Sequence, residues 1–395
     1  MITSTMTTER RQKPFLEAVQ QGIVVSDGAM GTMLYSRGIF LNRCFDELNL
    51  SNAKLIEEIH ADYLRAGAQV LTTNTFGANR FKLQANGLED RVLEINRRGA
   101  EIARGVAEGR AWVAGSVGPT GALIQPIGQV DPAAVRAAFR EQVQGLVEGG
   151  VDLIAIETFS SLEEMGAALA AVREVTELPV VASFSFDRHG LTNAGLSPEE
   201  VVPFVEEHGA DVVGCNCSTG PNDLLEVVEA MARVAKRPLV TQPNAGMPRE
   251  VEGRLIFLAT PEYMAEYARR FILAGASVVG GCCGTTPAHI KEILKFVRQL
   301  VPMKEARQAA AEPRIEAPPV PEFEKQEPAE KTPFGAKLGR QFVVSVEIDP
   351  PRGIDPVRAV AGAKMLTEKG VDVINIADGP RASARMSPFA LAVLM

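Results

Sequence analysis

Val278-Val279-Gly280-Gly281-Cys282-Cys283-Gly284-Thr285-Thr286-Pro287 decides how the rest of the chain is read. Its apolar start reads as a buried strand. The strand stops at two glycines, presents two adjacent cysteines and enters a helix. Thr286 is placed to cap that helix and Pro287 to be its first residue. The thiols therefore sit where a strand hands over to a helix, and there backbone N–H groups and the helix dipole favour thiolate over thiol. Adjacent cysteines rarely form a structural disulfide, because the ring between them is strained. They suit a soft metal that takes two sulfurs from one turn. The plainer alternative is a pair of small buried residues beside glycines.

The same handover recurs along the chain. From residue 22 a strand signal and a helix signal alternate eight times. The strands are predicted at Ile23–Ser26, Gln69–Thr72, Trp112–Ser116, Leu153–Ile156, Val180–Ser183, Asp211–Gly214, Pro238–Thr241 and Ser277–Val279. Short runs that are apolar on both faces suit parallel strands covered by helices. Asp131-Pro132, Ser197-Pro198 and Thr260-Pro261 each place a capping side chain before a proline. Ser161 with Glu164, and Ser197 with Glu200, fit capping boxes. Gly67, Gly150, Gly209 and Gly275 read as helix C-caps feeding the next strand. Eight such units predict an α/β fold, a (β/α)8 TIM barrel over residues 15–300. A doubly wound open sheet is the alternative, weakened because no glycine-rich dinucleotide fingerprint follows the first strand.

Residues 301–338 are rich in Pro, Glu, Ala and Lys without an apolar period, and read as a linker. The pattern restarts over 339–395, with a strand at Phe342–Ile348, a helix at Asp355–Lys369, a strand at Val371–Ile376 and a helical start at Ser387–Met395. Two strands cannot close a barrel, so this segment reads as the first βαβ portion of a second α/β barrel.

The chain has 395 residues, 46% of them hydrophobic, and a net charge of −8. It carries no basic tract and no basic–aromatic interleaving, which argues against nucleic acid and anionic membranes as partners. Five cysteines make no disulfide framework and fit a reducing compartment, so a cytoplasmic location is expected. The segment Met1–Lys13 is polar and does not read as a secretory signal, and no stretch is long enough to span a membrane.

In a barrel of this kind chemistry collects at the strand C-termini. Those ends carry Asp27-Gly28-Ala29-Met30-Gly31-Thr32, Thr73-Asn74-Thr75-Phe76, Gly118-Pro119-Thr120-Gly121, Glu157-Thr158, Phe184-Ser185, Cys215-Asn216-Cys217-Ser218, Asn244-Ala245-Gly246 and Cys282-Cys283. Four of the five cysteines fall on the sixth and eighth ends, which only one strand separates. One or both of Cys215 and Cys217, with Cys282 and Cys283, make a thiolate-rich site of the kind that selects zinc over hard cations. Three thiolates with an open position suit a catalytic zinc, four a structural one. Spacing alone does not choose between Cys215 and Cys217. Cys44 reads as a packing cysteine. His60, His189, His208 and His289 show no ligand spacing. Asp27 and Glu157 either cap local N–H groups or bind a cation such as a substrate ammonium. Gly28 and Gly31 allow backbone N–H groups to approach a carboxylate. Together these ends suggest an amino-acid pocket.

These motifs, in this order, resemble the zinc-dependent homocysteine S-methyltransferase family over about residues 15–300. The resemblance implies transfer of a methyl group from an activated donor to homocysteine, giving methionine in one-carbon metabolism. It implies zinc on Cys217, Cys282 and Cys283, with Cys215 only a neighbour. It also implies that Asp27 and Glu157 hold the substrate amino group and that the loop from Gly28 through Ala29 and Met30 to Thr32 holds its carboxylate. Asn74 is carried over as substrate-binding, and Glu157 and Asn244 as catalytic. In the methionine synthase branch, the residue resembling Asn244 can occupy zinc when substrate is absent. Relatives use different methyl donors, some through a corrinoid protein, and no residue here decides among them. The stretch Val344-Ser345-Val346-Glu347-Ile348-Asp349-Pro350-Pro351-Arg352 is similar to the opening strand of methylenetetrahydrofolate reductase, a flavin-dependent barrel. Glu347 aligns with that family's catalytic acid. FAD would be expected only with a complete second domain, so no reductase activity is expected of this chain. The rival readings are a barrel with a purely structural zinc and a vicinal-dithiol redox protein.

Overall fold

The apolar runs become parallel strands because each is followed by an amphipathic helix that covers its outer face. The computed structural model describes residues 14–40, 43–125, 128–251, 254–309, 332–337, 340–351, 353, 355–377 and 386–395. The first 13 residues, most of the predicted linker (310–331) and Arg352 lie outside the described residues. The chain divides into two units, 1–312 and 313–395.

In the first unit the strands are β1 (Val24–Val25), β2 (Val70–Thr72), β3 (Trp112–Val117), β4 (Leu153–Phe159), β5 (Val180–Phe184), β6 (Val212–Asn216), β7 (Leu239–Gln242) and, after a hairpin of β8 (Arg249–Val251) and β9 (Arg254–Ile256), β10 (Ala276–Val279). Eight of them form one parallel sheet in the order β1-β10-β7-β6-β5-β4-β3-β2. The two edges meet through a parallel bridge between Ser26 and Val70 and the bonds Asp27 N–H to Val70 O (3.1 Å) and Gln69 N–H to Val25 O (2.8 Å). At that seam the Gln69 side chain substitutes for backbone, accepting from Val25 N–H at 3.0 Å. This closure fits the TIM barrel and removes the doubly wound alternative.

All eight predicted strands are present, and most run further at their C-terminal ends than the apolar pattern indicates. Glu157 and Thr158 lie within β4, and Cys215 and Asn216 within β6. The ladder outlasts the apolar run because parallel barrel strands carry polar side chains into the C-terminal mouth.

One apolar cluster draws a residue from every barrel strand: Val24, Val70, Ala114, Leu153, Val181, Val212, Val240 and Val278. Phe15 and Val19, on the helix Phe15–Gln21, join it, and Phe15 sets its ring edge-on to Trp112 at 5.7 Å. This helix plugs the N-terminal end of the barrel. A second, larger cluster lies between the strands and the surrounding helices.

The caps follow the sequence with one exception. Asp131 accepts from Ala133 N–H at 2.8 Å, Thr260 accepts from Tyr263 N–H at 3.3 Å, and Ser197 with Glu200 forms the reciprocal box. Ser161 caps Glu164 N–H at 3.4 Å, but the Glu164 carboxylate does not return the bond. It turns instead to Thr120, accepting from its N–H at 2.7 Å and its hydroxyl at 2.5 Å, because a tertiary partner with two donors outcompetes the local one. The last helix of the unit runs from Pro287 through Ala309, into the segment predicted as linker.

In the second unit β11 (Ser345–Ile348) and β12 (Val373–Ile376) pair in parallel, with Ser345 opposite Val373, across the helix Val357–Glu368. Ala363, Leu391 and Pro350 are buried there. No described helix is long and apolar enough to cross a membrane.

Candidate active site

The C-terminal mouth holds a cavity of about 580 Å³ lined by Asp27 to Gly31, Thr72 to Gly77, Ser116, Glu157, Thr158, Cys217, Gln242 and Gly281 to Cys283. That size suits a small ligand. Arg43, Cys44, Phe45, Asp46, Lys82 and Asn86 line its outer part.

The Sγ atoms of Cys217, Cys282 and Cys283 all lie within 4.8 Å of one another, with Cys217 and Cys283 at 3.9 Å. Cys282 and Cys283 follow β10 on a turn held by Cys282 N–H to Pro243 O at 2.8 Å and Ala245 N–H to Cys283 O at 2.8 Å. The turn passes through Gly284 in the left-handed region (φ 80°), where a Cβ would stand 2.1 Å from Phe257 Cγ, so only glycine fits. Behind it, Thr286 opens the helix as predicted. His289, three residues on, accepts from Thr286 N–H through Nδ1 at 3.1 Å, which leaves Nε2 to donate to Ala259 O at 3.0 Å. A histidine thus does the work of a capping-box glutamate and ties the preceding loop to the cysteine turn.

The Cys217 thiol lies well below the usual thiol range, chiefly because the Cys282 and Cys283 thiols turn their protons toward it. Those two are correspondingly pushed up by the same contacts. A metal ion held by all three sulfurs would displace these protons. Three thiols with a side open to the cavity fit a tetrahedral ion with one exchangeable position.

Cys215 does not join them. The strand ends at Asn216, and Cys217 (φ 60°) and Ser218 (φ 57°) turn the chain in the left-handed region, so the two-residue spacing no longer gives a shared face. Cys215 is fully buried in the outer core, 3.7 Å from Thr241 Oγ1, and burial pushes its thiol up to about 12. A Cys215→Ala variant is expected to bind metal as the wild type does while losing about 1 kcal/mol of stability. Metal analysis beside thermal unfolding checks this, and lost metal would return Cys215 to the ligand set. Cys44 packs against Ala78, Leu83, Val92 and Ile95, as read from sequence, and also faces the cavity, 3.9 Å from Asp46 Oδ2.

The two carboxylates come together on the same cavity, with Glu157 close enough to Cys217 and Cys283 for their charges to interact. Asp27 is 3% exposed and accepts from Thr72 N–H at 2.7 Å and Thr72 Oγ1 at 2.8 Å. Glu157 accepts from Ser116 Oγ at 2.5 Å. Burial pushes each up to about 7, with the Glu157 charge adding to the effect on Asp27 and the Cys217 charge to that on Glu157. Asp27, Glu157 and the three cysteines therefore share one pocket.

The loop at Gly28–Thr32 is braced against the cysteine turn. Ala29 N–H donates to Thr285 Oγ1 at 3.1 Å, Gly284 N–H to Thr32 Oγ1 at 3.1 Å, and Gly281 N–H to Asp27 O at 3.1 Å. A Cβ on Gly28 would stand 2.4 Å from Thr285 Oγ1. Tyr63, in the last turn of the helix Ala53–Ala66, reaches beneath both, its hydroxyl 2.8 Å from Ala29 O and 3.1 Å from Thr285 O. Gly28, Ala29, Met30 and Gly31 line the cavity, but Ala29 N–H is engaged by Thr285 and Thr32 serves as a brace. Asn74 lines the cavity, yet its amide donates to Phe45 O at 2.7 Å and Asn49 Oδ1 at 3.1 Å, holding the neighbouring loop. Asn244 is 4% exposed beside Cys217, and its Oδ1 has no hydrogen-bond partner. Thr72, Ser116, Asn216 and Thr285, which orient the site, carry no sequence signal of that role. In the second unit Glu347 accepts from Asn375 Nδ2 at 3.0 Å.

The sequence pattern of the family described as "Homocysteine S-methyltransferase" matches residues 24–297. The chain is 34% identical over 318 residues to methionine synthase of Mycobacterium tuberculosis, covering 76% of this chain and 26% of that protein. It is also 34% identical over 300 residues to methionine synthase of Mycobacterium leprae, covering 71% and 25%. The chain thus spans about a quarter of the length of these relatives. Its fold is similar to the crystal structure of the homocysteine methyltransferase MmuM from Escherichia coli in its metallated form, with TM-score 0.60 and 28% identity, covering 69% of this chain and 96% of that one.

Proposed function

The chain belongs to the homocysteine S-methyltransferase family, and on that premise we propose that it transfers a methyl group from an activated donor to the thiol of homocysteine, giving methionine, with zinc held by Cys217, Cys282 and Cys283. The observation that carries this reading is the meeting of three thiols within 4.8 Å and two buried carboxylates on one cavity. That pairing matches an amino acid whose side chain ends in sulfur. Bound zinc supplies Lewis acidity that lowers the pKa of a sulfur it takes.

The residues divide the work. Asp27 and Glu157 take the substrate ammonium. Gly28, Ala29 and Met30, with the first-turn N–H groups of the helix Gly31–Ser36, face the carboxylate. Thr72 and Ser116 hold the two carboxylates in place. A free thiol near pKa 8.5 is mostly protonated at neutral pH, so positioning and deprotonation together are what the site has to supply. Asn244, buried beside Cys217 with an unpartnered amide oxygen, would be the residue to hold the zinc's fourth position before substrate arrives. For the second unit, the parallel pair β11 and β12 supports a reading as the opening of another α/β barrel similar to methylenetetrahydrofolate reductase.

The test is zinc content with a donor scan. We expect one zinc per chain and methionine formed from homocysteine with one of methyltetrahydrofolate, S-methylmethionine, S-adenosylmethionine, betaine or a methylated corrinoid protein. A zinc-free protein with intact thiols would overturn the metal assignment. A zinc whose X-ray absorption spectrum ignores homocysteine would favour the structural alternative.

A further inference from the structure

Asn216 occupies the last position of β6 and is fully buried. Its Oδ1 accepts from Thr158 N–H at 2.8 Å, and its Nδ2 donates to Thr158 Oγ1 at 2.7 Å. The same nitrogen stands 3.5 Å from Glu157 Oε2 and 4.0 Å from Cys282 Sγ. One amide therefore touches the residue after the carboxylate, the carboxylate itself and one sulfur of the cysteine cluster. The backbone on both sides is held in the left-handed region, Thr158 at φ 66° and Cys217 at φ 60°. For a β-branched threonine this conformation is rare and persists only where surrounding contacts over-determine it. Asn216 supplies two of those contacts.

We propose that Asn216 is a positioning residue that fixes the span between the Glu157 carboxylate and the sulfur cluster, and so makes the pocket select homocysteine over cysteine. The inference rests on the reading that the ammonium lies at Asp27 and Glu157 and the sulfur at the cysteines. A ligand held at both ends must match the span between them. Cysteine lacks one C–C bond, about 1.5 Å of reach. Against rigid ends it engages one at a time. If the strained Thr158 turn relaxes, Glu157 moves toward the sulfurs and the shorter thiol is accepted.

The experiment measures calorimetric binding of L-homocysteine and L-cysteine to the zinc-loaded chain and to Asn216→Ser and Thr158→Gly variants, with zinc content and unfolding temperature recorded. Discrimination by one methylene is typically about 10- to 200-fold, and the wild type is expected to lie in that range. Asn216→Ser is expected to cut the homocysteine-to-cysteine ratio by about tenfold with zinc retained. Thr158→Gly is expected to cut it as well while unfolding near the wild type's temperature, since the relief of strain at φ 66° offsets the lost bond from Asn216 Nδ2. If Asn216→Ser does not fold, Thr158→Gly carries the test. Loss of affinity for both thiols in equal proportion would overturn the proposal and leave Asn216 structural. A wild type that binds neither thiol would instead overturn the homocysteine reading itself.

Discussion

In a Cys283→Ala variant, zinc affinity is expected to fall by more than about 100-fold, the upper end of what losing an outer partner of a metal ligand costs, and methyl transfer to disappear. The same holds for Cys217→Ala and Cys282→Ala. Each sulfur is within 4.8 Å of the other two, and the set is the one group of metal-capable side chains found among the described residues. Removing one leaves two thiolates, too few for a tetrahedral site of three protein ligands and one exchangeable position. The fold should survive, because each thiol lies at the cavity wall and not in either apolar cluster. Metal content by mass spectrometry and circular dichroism together check this. Turnover at the wild-type rate in any of the three would remove that residue from the ligand set.

Replacing Glu157 by Gln is expected to raise KM for homocysteine by roughly 30- to several-thousand-fold, since truncating one partner of a buried charge pair costs about 2–5 kcal/mol. Asp27→Asn acts in the same direction. Both carboxylates are pushed up to about 7 by burial, so in the free protein they are largely protonated below that pH. The sign follows. An ammonium ligand needs them ionised, so binding tightens as pH rises through 7 and weakens as it falls. In the Glu157→Gln variant one proton drops out of the linkage, and the slope of log KM against pH is expected to become shallower by about one. Calorimetry from pH 5.5 to 8.5 reads both effects. An unchanged KM in the variant would remove Glu157 from the ammonium site.

The barrel was legible because its evidence is local. Each strand is a short apolar run, helices such as those after Asp131, Ser161, Ser197 and Thr260 begin with their own cap, and Gly67 and Gly275 end helices in the left-handed region as their positions suggest. Asp27, Glu157 and the vicinal cysteines were legible because strand ends converge in a barrel whatever the side chains. What stayed hidden depends on other strands. Spacing leaves Cys215 and Cys217 open where the family resemblance points to Cys217, and the left-handed turn at Cys217 is the physical reason that its sulfur, and not that of Cys215, faces the cavity. Asn74 lines the cavity, but nothing in the sequence shows that its amide nitrogen is held by Phe45 and Asn49. Thr72 and Ser116 look like ordinary strand residues until the carboxylates of neighbouring strands arrive. Glu164 fits a capping box and is drawn off by Thr120.

The short helix Phe15–Gln21 precedes every barrel strand in the chain, yet its resting place is built from all eight strands, the last of them β10. It cannot settle until Val278, 257 residues beyond the end of the helix at Gln21, has been made. β1 waits as long for its β10 neighbour. Closure of this ring is therefore a late event set by contacts between distant parts of the chain, and such contacts slow folding. Until then Phe15 and Val19 are exposed apolar side chains on a nascent chain, and the interval before β10 appears is when they are open to capture by a chaperone.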